Sequence, residues 1–251
     1  MAKKAIGVDV GGTGIKAAIV DTKSGELLSE RLRVETPPGG GAKAIAGVTR
    51  DLVDRLGGKP SLPVGVCFPA VVRHGFTQSA ANVSDEWIGL NAHSLFEGSL
   101  NRHVHVINDA DAAGAAEMKF GAGRGAKGLT IMTTLGTGIG SALFYNGVLI
   151  PNSELGHLEI DGYDAETKAA FSAKEREGLD FQTWAQRLQR YYETLERLFS
   201  PDLFIVGGGI SKSHHEFLPL ISLGTPIVPA TTKNSAGIIG AASLAYRSQE
   251  D

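Results

Sequence analysis

Eight residues near the start, Asp9-Val10-Gly11-Gly12-Thr13-Gly14-Ile15-Lys16, place a carboxylate, three glycines, a hydroxyl and an amine in one short turn. Without a Cβ to hold a ligand off, such a turn brings backbone N–H groups close to an anion. Thr13 adds a hydroxyl and Lys16 a mobile positive charge. That chemistry grips a phosphate, although no G-x-x-x-x-G-K-[ST] loop occurs in the chain. Asp9, at the strand end beside the turn, suits Mg²⁺ or its waters better than proton abstraction. The phrase returns at Gly136-Thr137-Gly138, where LGTGIGSALF (135–144) aligns with GGTGIKAAIV (11–20) on Gly-Thr-Gly-Ile. A third cluster, Gly207-Gly208-Gly209, ends an apolar run and is expected to open a helix with its N–H groups pointing outward.

Candidate acids and bases lie elsewhere. Asp109 follows Asn108 at the end of the apolar run HVHVI, where it can serve as a general base or as the N-cap of the alanine-rich stretch behind it. Glu154-Leu155-Gly156-His157, with Glu159 and Glu166 further on, suits a metal, sugar hydroxyls or plain solvent alike. His103 and His105 alternate along the strand before Asp109 and are expected on its solvent side. Gly123 to Gly128 fits G-x-G-x-x-G, but a helical stretch precedes it and an apolar strand follows. That is the reverse of the dinucleotide-binding order, so no nicotinamide cofactor is implied.

The elements that must position these groups follow from the apolar pattern. KAIGVDV, AAIVD and ELLSERLRVE read as three strands of a meander. AKAIAGVTRDLVDRL has helical spacing that stops at Gly57-Gly58. PVGVCFPA and HVHVIND read as buried strands, and DAAGAAEMKFGAG as a helix. The second half repeats strand, glycine turn, strand, Asn146-Gly147 turn, strand, which suggests a duplicated domain. DFQTWAQRLQRYYETLERLF carries Phe181, Trp184, Leu188, Tyr191, Leu195 and Leu198 on one helical face, for a core or a subunit interface. DLFIVGGGIS is strand into turn, and SAGIIGAASLAYR a closing helix of small residues. The order predicts an α/β fold with mixed sheets flanked by helices.

Composition narrows the partners. With 251 residues, 42% hydrophobic and 20% charged, the chain suits one or two soluble domains. A net charge of −3 gives no general pull toward nucleic acid or an anionic membrane, so a polyanion needs a local basic patch. The single cysteine, Cys67, lies in an apolar run and is expected to be a buried thiol. No signal peptide or spanning segment is read, and a cytoplasmic location is expected.

Taken together the motifs resemble those of the ROK sugar kinases. Asp9 to Lys16 is similar to their D-x-G-G-T-x-x-K phosphate motif and Leu135 to Gly140 to their second phosphate motif. Asn108-Asp109-Ala110 resembles the catalytic N-D-A, Glu154 to His157 the sugar-binding E-x-G-H, and Val206 to Ser211 the nucleotide-side G-G-G-I-S. The motifs keep the family's order over nearly the whole chain. One segment departs: the family's zinc-binding C-x-C-G-x-x-G-C-x-E is replaced by Gly162 to Glu166 without a cysteine, so no zinc is expected there and only Glu166 matches. This cysteine-free form, with TPIVPA and QRYYETLERLFSPDLF, is similar to the polyphosphate glucokinase branch, and within it to the polyphosphate/ATP glucomannokinases.

The resemblance implies an actin-like, ribonuclease H-like duplicated fold of two lobes. A smaller N-terminal lobe would hold residues 1–109, with 236–251 returning to it, and a larger C-terminal lobe residues 110–235, the cleft between them holding the site. It implies transfer of a terminal phosphoryl group from polyphosphate, and from ATP, to the 6-hydroxyl of glucose, with mannose a further acceptor. Asp109 becomes the base. Asp9, Gly11, Gly12, Thr13, Gly14, Lys16, Gly136, Thr137 and Gly138 hold phosphate, and Gly207, Gly208 and Gly209 face the nucleotide. Asn82, Asn108, Asp109, Glu154, His157 and Glu166 bind the sugar, with Mg²⁺ near Asp9. Lys16, Lys119, Arg124, Lys127, Lys212 and Lys233 are candidates for a polyphosphate track. A homodimer is expected, and no nucleic acid or membrane partner. The alternatives are an ATP-only glucokinase and a sugar-sensing regulator; a regulator would carry a helix-turn-helix ahead of the first motif, which here begins at residue 9.

Overall fold

The computed structural model describes residues 3–57, 59 and 61–249, so Gly58 of the expected helix stop lies outside it. The chain forms two compact units, one of residues up to Ala116 together with those from Ser235 on, the other of Glu117–Asn234. The first unit opens with β1 (Lys4–Val10), β2 (Ile15–Asp21) and β3 (Leu32–Val34), and then α1 (Ala42–Arg55). β4 (Val64–Phe68), the short hairpin β5 (Val72–Arg73) and β6 (Phe76–Thr77), α2 (Ala92–Leu100), β7 (Val104–Asn108) and α3 (Asp109–Phe120) follow. The sheet order is β3-β2-β1-β4-β7, with β1, β2 and β3 antiparallel and β4 and β7 parallel to β1.

β4 is buried at every position, as a strand covered on both faces should be. The expected third strand shrinks. Only Val20 and Leu27 form a bridge ahead of β3, because the Ser29 hydroxyl takes the Ile19 N–H that a ladder would have used. α1 buries Ile45, Ala46, Thr49, Leu52 and Val53 on one face, the pattern its spacing predicts.

The second unit repeats this plan. It contains β8 (Leu129–Leu135), β9 (Ile139–Tyr145), β10 (Val148–Ile150), the hairpin β11 (Glu159–Ile160) and β12 (Tyr163–Asp164), α4 (Glu166–Ala169), α5 (Phe171–Glu177) and α6 (Phe181–Phe199). β13 (Leu203–Gly207), the four-residue α7 (His214–Phe217) and β14 (Ile227–Pro229) complete it. Its sheet order, β10-β9-β8-β13-β14, has the same directions as the first. Two sheets of one topology, each with a glycine turn between its first two strands, bear out the duplication.

The aromatic face of α6 is core. Trp184, Leu188, Tyr191, Tyr192 and Leu195 are buried among β8, β13 and α7 residues, whereas Leu198 is exposed. The G-x-G-x-x-G stretch is a helix-to-strand connection: a Cβ at Gly128 would meet the Asp202 carboxylate at 1.9 Å, and that carboxylate accepts the Leu129 N–H. Glu117 is fully buried and accepts hydrogen bonds from Ala122, Thr231 and Thr232, which binds the segment after β14 to α3.

The chain then returns to the first unit as α8 (Ala236–Arg247). α8 lies on β1 and β4 with backbone against backbone: a Cβ at Gly7 would stand 1.9 Å from the Ile238 carbonyl oxygen and one at Gly65 2.0 Å from that of Ala241. Gly240 meets α3 as closely, for a Cβ there would stand 1.7 Å from the Ala112 oxygen. Small residues are required there because the elements meet without side chains between them.

Two alanine substitutions separate contact from propensity. Gly65→Ala should lower the stability by about 1–3 kcal/mol or more through overpacking. Gly47→Ala, in α1 with open space around it, should raise it by roughly 0.5–1 kcal/mol. Denaturant unfolding of both variants checks the opposite signs; equal effects would contradict the packing.

Candidate active site

Three parallel strands deliver the chemistry of the first unit to one edge of its sheet. Asp9 pairs in register with Cys67, Cys67 with Ile107, and the chain leaves β7 through Asn108 into Asp109. Ligands bind beyond the carboxyl ends of such strands. Across the hairpin Lys16 faces Asp9 in register, and its Nζ lies 2.8 Å from Asp9 Oδ2. The Cys67 thiol lies 3.6 Å from Asp9 Oδ1. Burial, and then the charges of Asp9 and Asp109, hold that thiol well above the usual cysteine range, while Lys16 opposes them. Cys67 is therefore a protonated packing residue, as expected. Gly237, in the first turn of α8, closes over the pair, for a Cβ there would meet Cys67 Sγ at 2.9 Å and Asp9 Cγ at 3.3 Å.

The first glycine turn is residues 11–14, closed by Gly11 N–H donating to the Gly14 oxygen at 3.1 Å. Gly12 packs on Asn82, whose Cβ would be 2.9 Å from a Cβ at position 12, so Asn82 stands beside the turn. Gly14 packs under the Arg33 guanidinium, and Arg33 Nη2 donates to the Thr13 carbonyl at 3.1 Å. The turn therefore carries two cations, Lys16 and Arg33, of which sequence reading found only the first. Its signal was the alternation of charge in Arg31-Leu32-Arg33, which does not reveal a partner 20 residues back.

The cap of α3 is Asn108, not Asp109. Asn108 Oδ1 accepts from Ala110 N at 2.8 Å and Asp111 N at 3.1 Å, and its Nδ2 donates to the Ala70 carbonyl at 3.1 Å. Asn108 is thereby buried and held by the protein's own backbone. Asp109 is the exposed first residue of the helix, its Oδ1 accepting the Ala110 N–H at 2.9 Å.

In the second unit the glycine turn is residues 136–138, with Gly136 N–H donating to the Gly138 oxygen at 3.0 Å. Ser172 supports it, its N–H bonded to Gly136 O at 3.0 Å and its hydroxyl to Thr137 O at 2.5 Å. The Glu166 carboxylate closes on the turn: Oε2 accepts the Ile139 N–H at 2.9 Å and would lie 2.4 Å from a Cβ at Gly138. Gly208 meets the same end of β8. Its φ of 85° and a Cβ that would be 2.3 Å from the Leu135 oxygen exclude any side chain. The third cluster thus abuts the second turn, but it opens into a 3-10 turn, Gly209–Ser213, not the helix expected, because Ser211 N–H and Oγ both return to the Gly208 oxygen.

Glu154 and His157 flank a 3-10 turn after β10. Desolvation raises the Glu154 pKa and the Glu166 charge adds to it, against His157. His157 Nδ1 is 2.8 Å from Asp164 Oδ2, and this hydrogen bond holds its pKa above the usual histidine value. Asp164, which supports the imidazole, was not singled out from the sequence. His157, Asp164 and Glu166 bring donor atoms within 4.8 Å of one another. Of the candidate track, Lys16 is paired with Asp9, Lys119 lies over the Phe120 ring at 5.1 Å, and Arg124, Lys127, Lys212 and Lys233 are exposed on the second unit. Among the described residues no helix is long and apolar enough to cross a membrane.

Known proteins share this fold. The profile of the ROK family matches residues 5–178. Polyphosphate glucokinase of Mycobacterium tuberculosis (strain CDC 1551 / Oshkosh) is 46% identical over 94% of this chain and 89% of its own length. The crystal structure of the inorganic polyphosphate/ATP-glucomannokinase from Arthrobacter sp. strain KM is 52% identical, with a TM-score of 0.93 over 98% of this chain and 99% of that one. The ROK hexokinase from Thermus thermophilus superposes with a TM-score of 0.75 at 25% identity, covering 99% of each chain. The duplicated mixed sheets are those of the actin-like fold.

The His157–Asp164 pair has a definite pH dependence. Because the folded-state pKa is raised, the stabilisation is complete below the unfolded histidine's pKa and is lost as pH rises through the folded value. An NMR titration should place the His157 midpoint above the usual histidine range, and Asp164→Asn should bring it down. An unmoved midpoint in that variant would contradict the pairing.

Proposed function

The chain belongs to the ROK family, and from that premise we propose that it transfers the terminal phosphoryl group of inorganic polyphosphate, and of ATP, to the 6-hydroxyl of glucose. The observation that carries the reading is the pair of equivalent glycine turns, the first flanked by Lys16 and Arg33. The relatives at 46% and 52% identity whose names specify polyphosphate support the choice of donor.

Asp109 is the general base. It removes the proton of the sugar 6-hydroxyl as that oxygen bonds to phosphorus, and the bond to the bridging oxygen breaks, leaving shortened polyphosphate or ADP. Asn108 positions Asp109 through the cap it provides, and within hydrogen-bond reach its second amide hydrogen remains for a sugar hydroxyl. Asn82, Glu154, His157 and Glu166 bind further hydroxyls, a paired arrangement that rejects an acceptor lacking one of them. The N–H groups of Gly11, Gly12, Gly14, Gly136 and Gly138, with the hydroxyls of Thr13 and Thr137, hold the phosphoryl oxygens, and Gly207, Gly208 and Gly209 face the nucleotide.

Asp9 fits the divalent ion that such a donor carries: it is a hard oxygen ligand, and its side chain keeps 19% of its surface exposed beside the first turn. When bound, Mg²⁺ would neutralise charge on the phosphates, leaving Lys16 and Arg33 to offset the remainder. Acceptance of mannose and a homodimer belong to the same proposal.

The deciding experiment is sugar 6-phosphate formation by purified protein with Mg²⁺, glucose and either nucleotide-free polyphosphate or ATP. Both donors should work. Activity with ATP alone would move the chain to the ATP-only glucokinases, and silence with both donors across several sugars would favour a sensor. Asp109→Asn should retain glucose binding while kcat falls about 10²- to 10⁴-fold; near-normal turnover would remove the base. Arg33→Ala should raise the KM for polyphosphate more than that for glucose, since only the donor is charged.

A further inference from the structure

The first unit gathers a second group of ligating side chains away from its glycine turn. α2 is fixed at both ends: Asn91 Oδ1 accepts the Ser94 N–H at 2.9 Å, and Asn101, at a φ of 49°, ends the helix and turns the chain back. His93 and Glu97, four residues apart, share one face of the helix. The β5–β6 turn holds the start of that face, since His93 N–H donates to the Gly75 oxygen at 3.1 Å. After the reversal at Asn101, His103 returns beside Glu97, and the Val104 N–H that opens β7 donates to Glu97 Oε1 at 3.2 Å. His93 Nε2 lies 3.2 Å and His103 Nδ1 3.0 Å from that same oxygen. His103 is exposed, as expected, whereas His105, expected beside it, is half-buried.

We propose that His93, Glu97 and His103 form a site for one divalent transition-metal ion, zinc foremost, which fastens the end of α2 to the head of β7. Two imidazoles and a carboxylate are the donors that zinc takes, leaving a fourth position for water, whereas Mg²⁺ prefers oxygen alone. Donors ~2.0–2.2 Å from a tetrahedral zinc ion stand about 3.4 Å apart. The two histidine-to-carboxylate separations of 3.2 and 3.0 Å are already close to that spacing. All three donor atoms lie within 4.8 Å of one another, so only the histidine-to-histidine edge has to close. Both imidazoles have room to do so, with 39% and 48% of their side-chain surface exposed.

This site is separate from the reaction. His103 precedes β7 and Asp109 follows it, six residues on, which is about 20 Å of extended chain. The other mixed cluster, His157 with Asp164 and Glu166, has a single imidazole.

The test uses the whole, metal-stripped protein without Mg²⁺, titrated with ZnCl₂ by calorimetry and with Co²⁺ by visible absorption. One ion per chain should bind, Co²⁺ should give an intense tetrahedral band, and zinc should raise the Tm by mass action. His93→Ala and His103→Ala should each weaken zinc binding at least tenfold and abolish the Tm rise, while His157→Ala keeps both. Circular dichroism and sugar phosphorylation with Mg²⁺ should be unchanged in the two α2-site variants, which shows that they fold. No binding by the wild type at tens of micromolar zinc, binding undiminished in both variants, or loss of it in His157→Ala would each overturn the site.

Discussion

The structure depends on backbone lying where a side chain would otherwise be. Gly12, Gly14 and Gly138 do not have the positive φ that calls for glycine. Each is instead pressed on a polar or charged side chain, namely Asn82, Arg33 and Glu166. The missing Cβ serves two ends at once: it lets N–H groups approach an anion, and it lets the protein's own side chains close on the turn. The same constraint governs the support behind the site. α8 sits on β1 and β4 through Gly7 and Gly65, and Gly237 seals Cys67 and Asp9 from the rear.

That constraint explains the charges. Asp9 is held between Lys16 and the Cys67 thiol at the end of β1, and Asp109 is the exposed first residue of a helix whose cap is its neighbour. Asn108 caps the helix and so fixes the backbone that carries Asp109. In the second unit, Asp164 holds the His157 imidazole by a hydrogen bond. A duplicated scaffold has thus acquired a different side-chain set on each copy, acid and cations in the first, carboxylates and an imidazole in the second.

Much of this was legible in the sequence, for local reasons. Gly-Thr-Gly-Ile aligns the two halves, and the structure begins β2 at Ile15 and β9 at Ile139, the aligned isoleucines. The turns before them still differ, since β1 ends at Val10 and β8 at Leu135, which leaves Gly11 as an extra residue. The uniformly apolar VGVCF could only be a buried strand. What was missed depends on distant partners. Arg33 gains its meaning from Thr13 across a hairpin, and Asn108 from Ala70 on another loop. α2 went unread because nine residues interrupted by Gly98 carry little periodicity, and its ends are fixed by Asn91 and Asn101 instead. The break of the third strand follows from one serine hydroxyl, which no apolar pattern records.

The central claim is that the two glycine turns are equivalent anion clasps. The most direct measurement is amide NMR of the labelled protein titrated with tripolyphosphate in the presence of Mg²⁺. The account predicts that the amides of Gly11 to Gly14 and of Gly136 to Gly138 shift together and saturate at one common concentration. If only one turn responds, or the two saturate at separate concentrations, the turns are alike in fold and not in function.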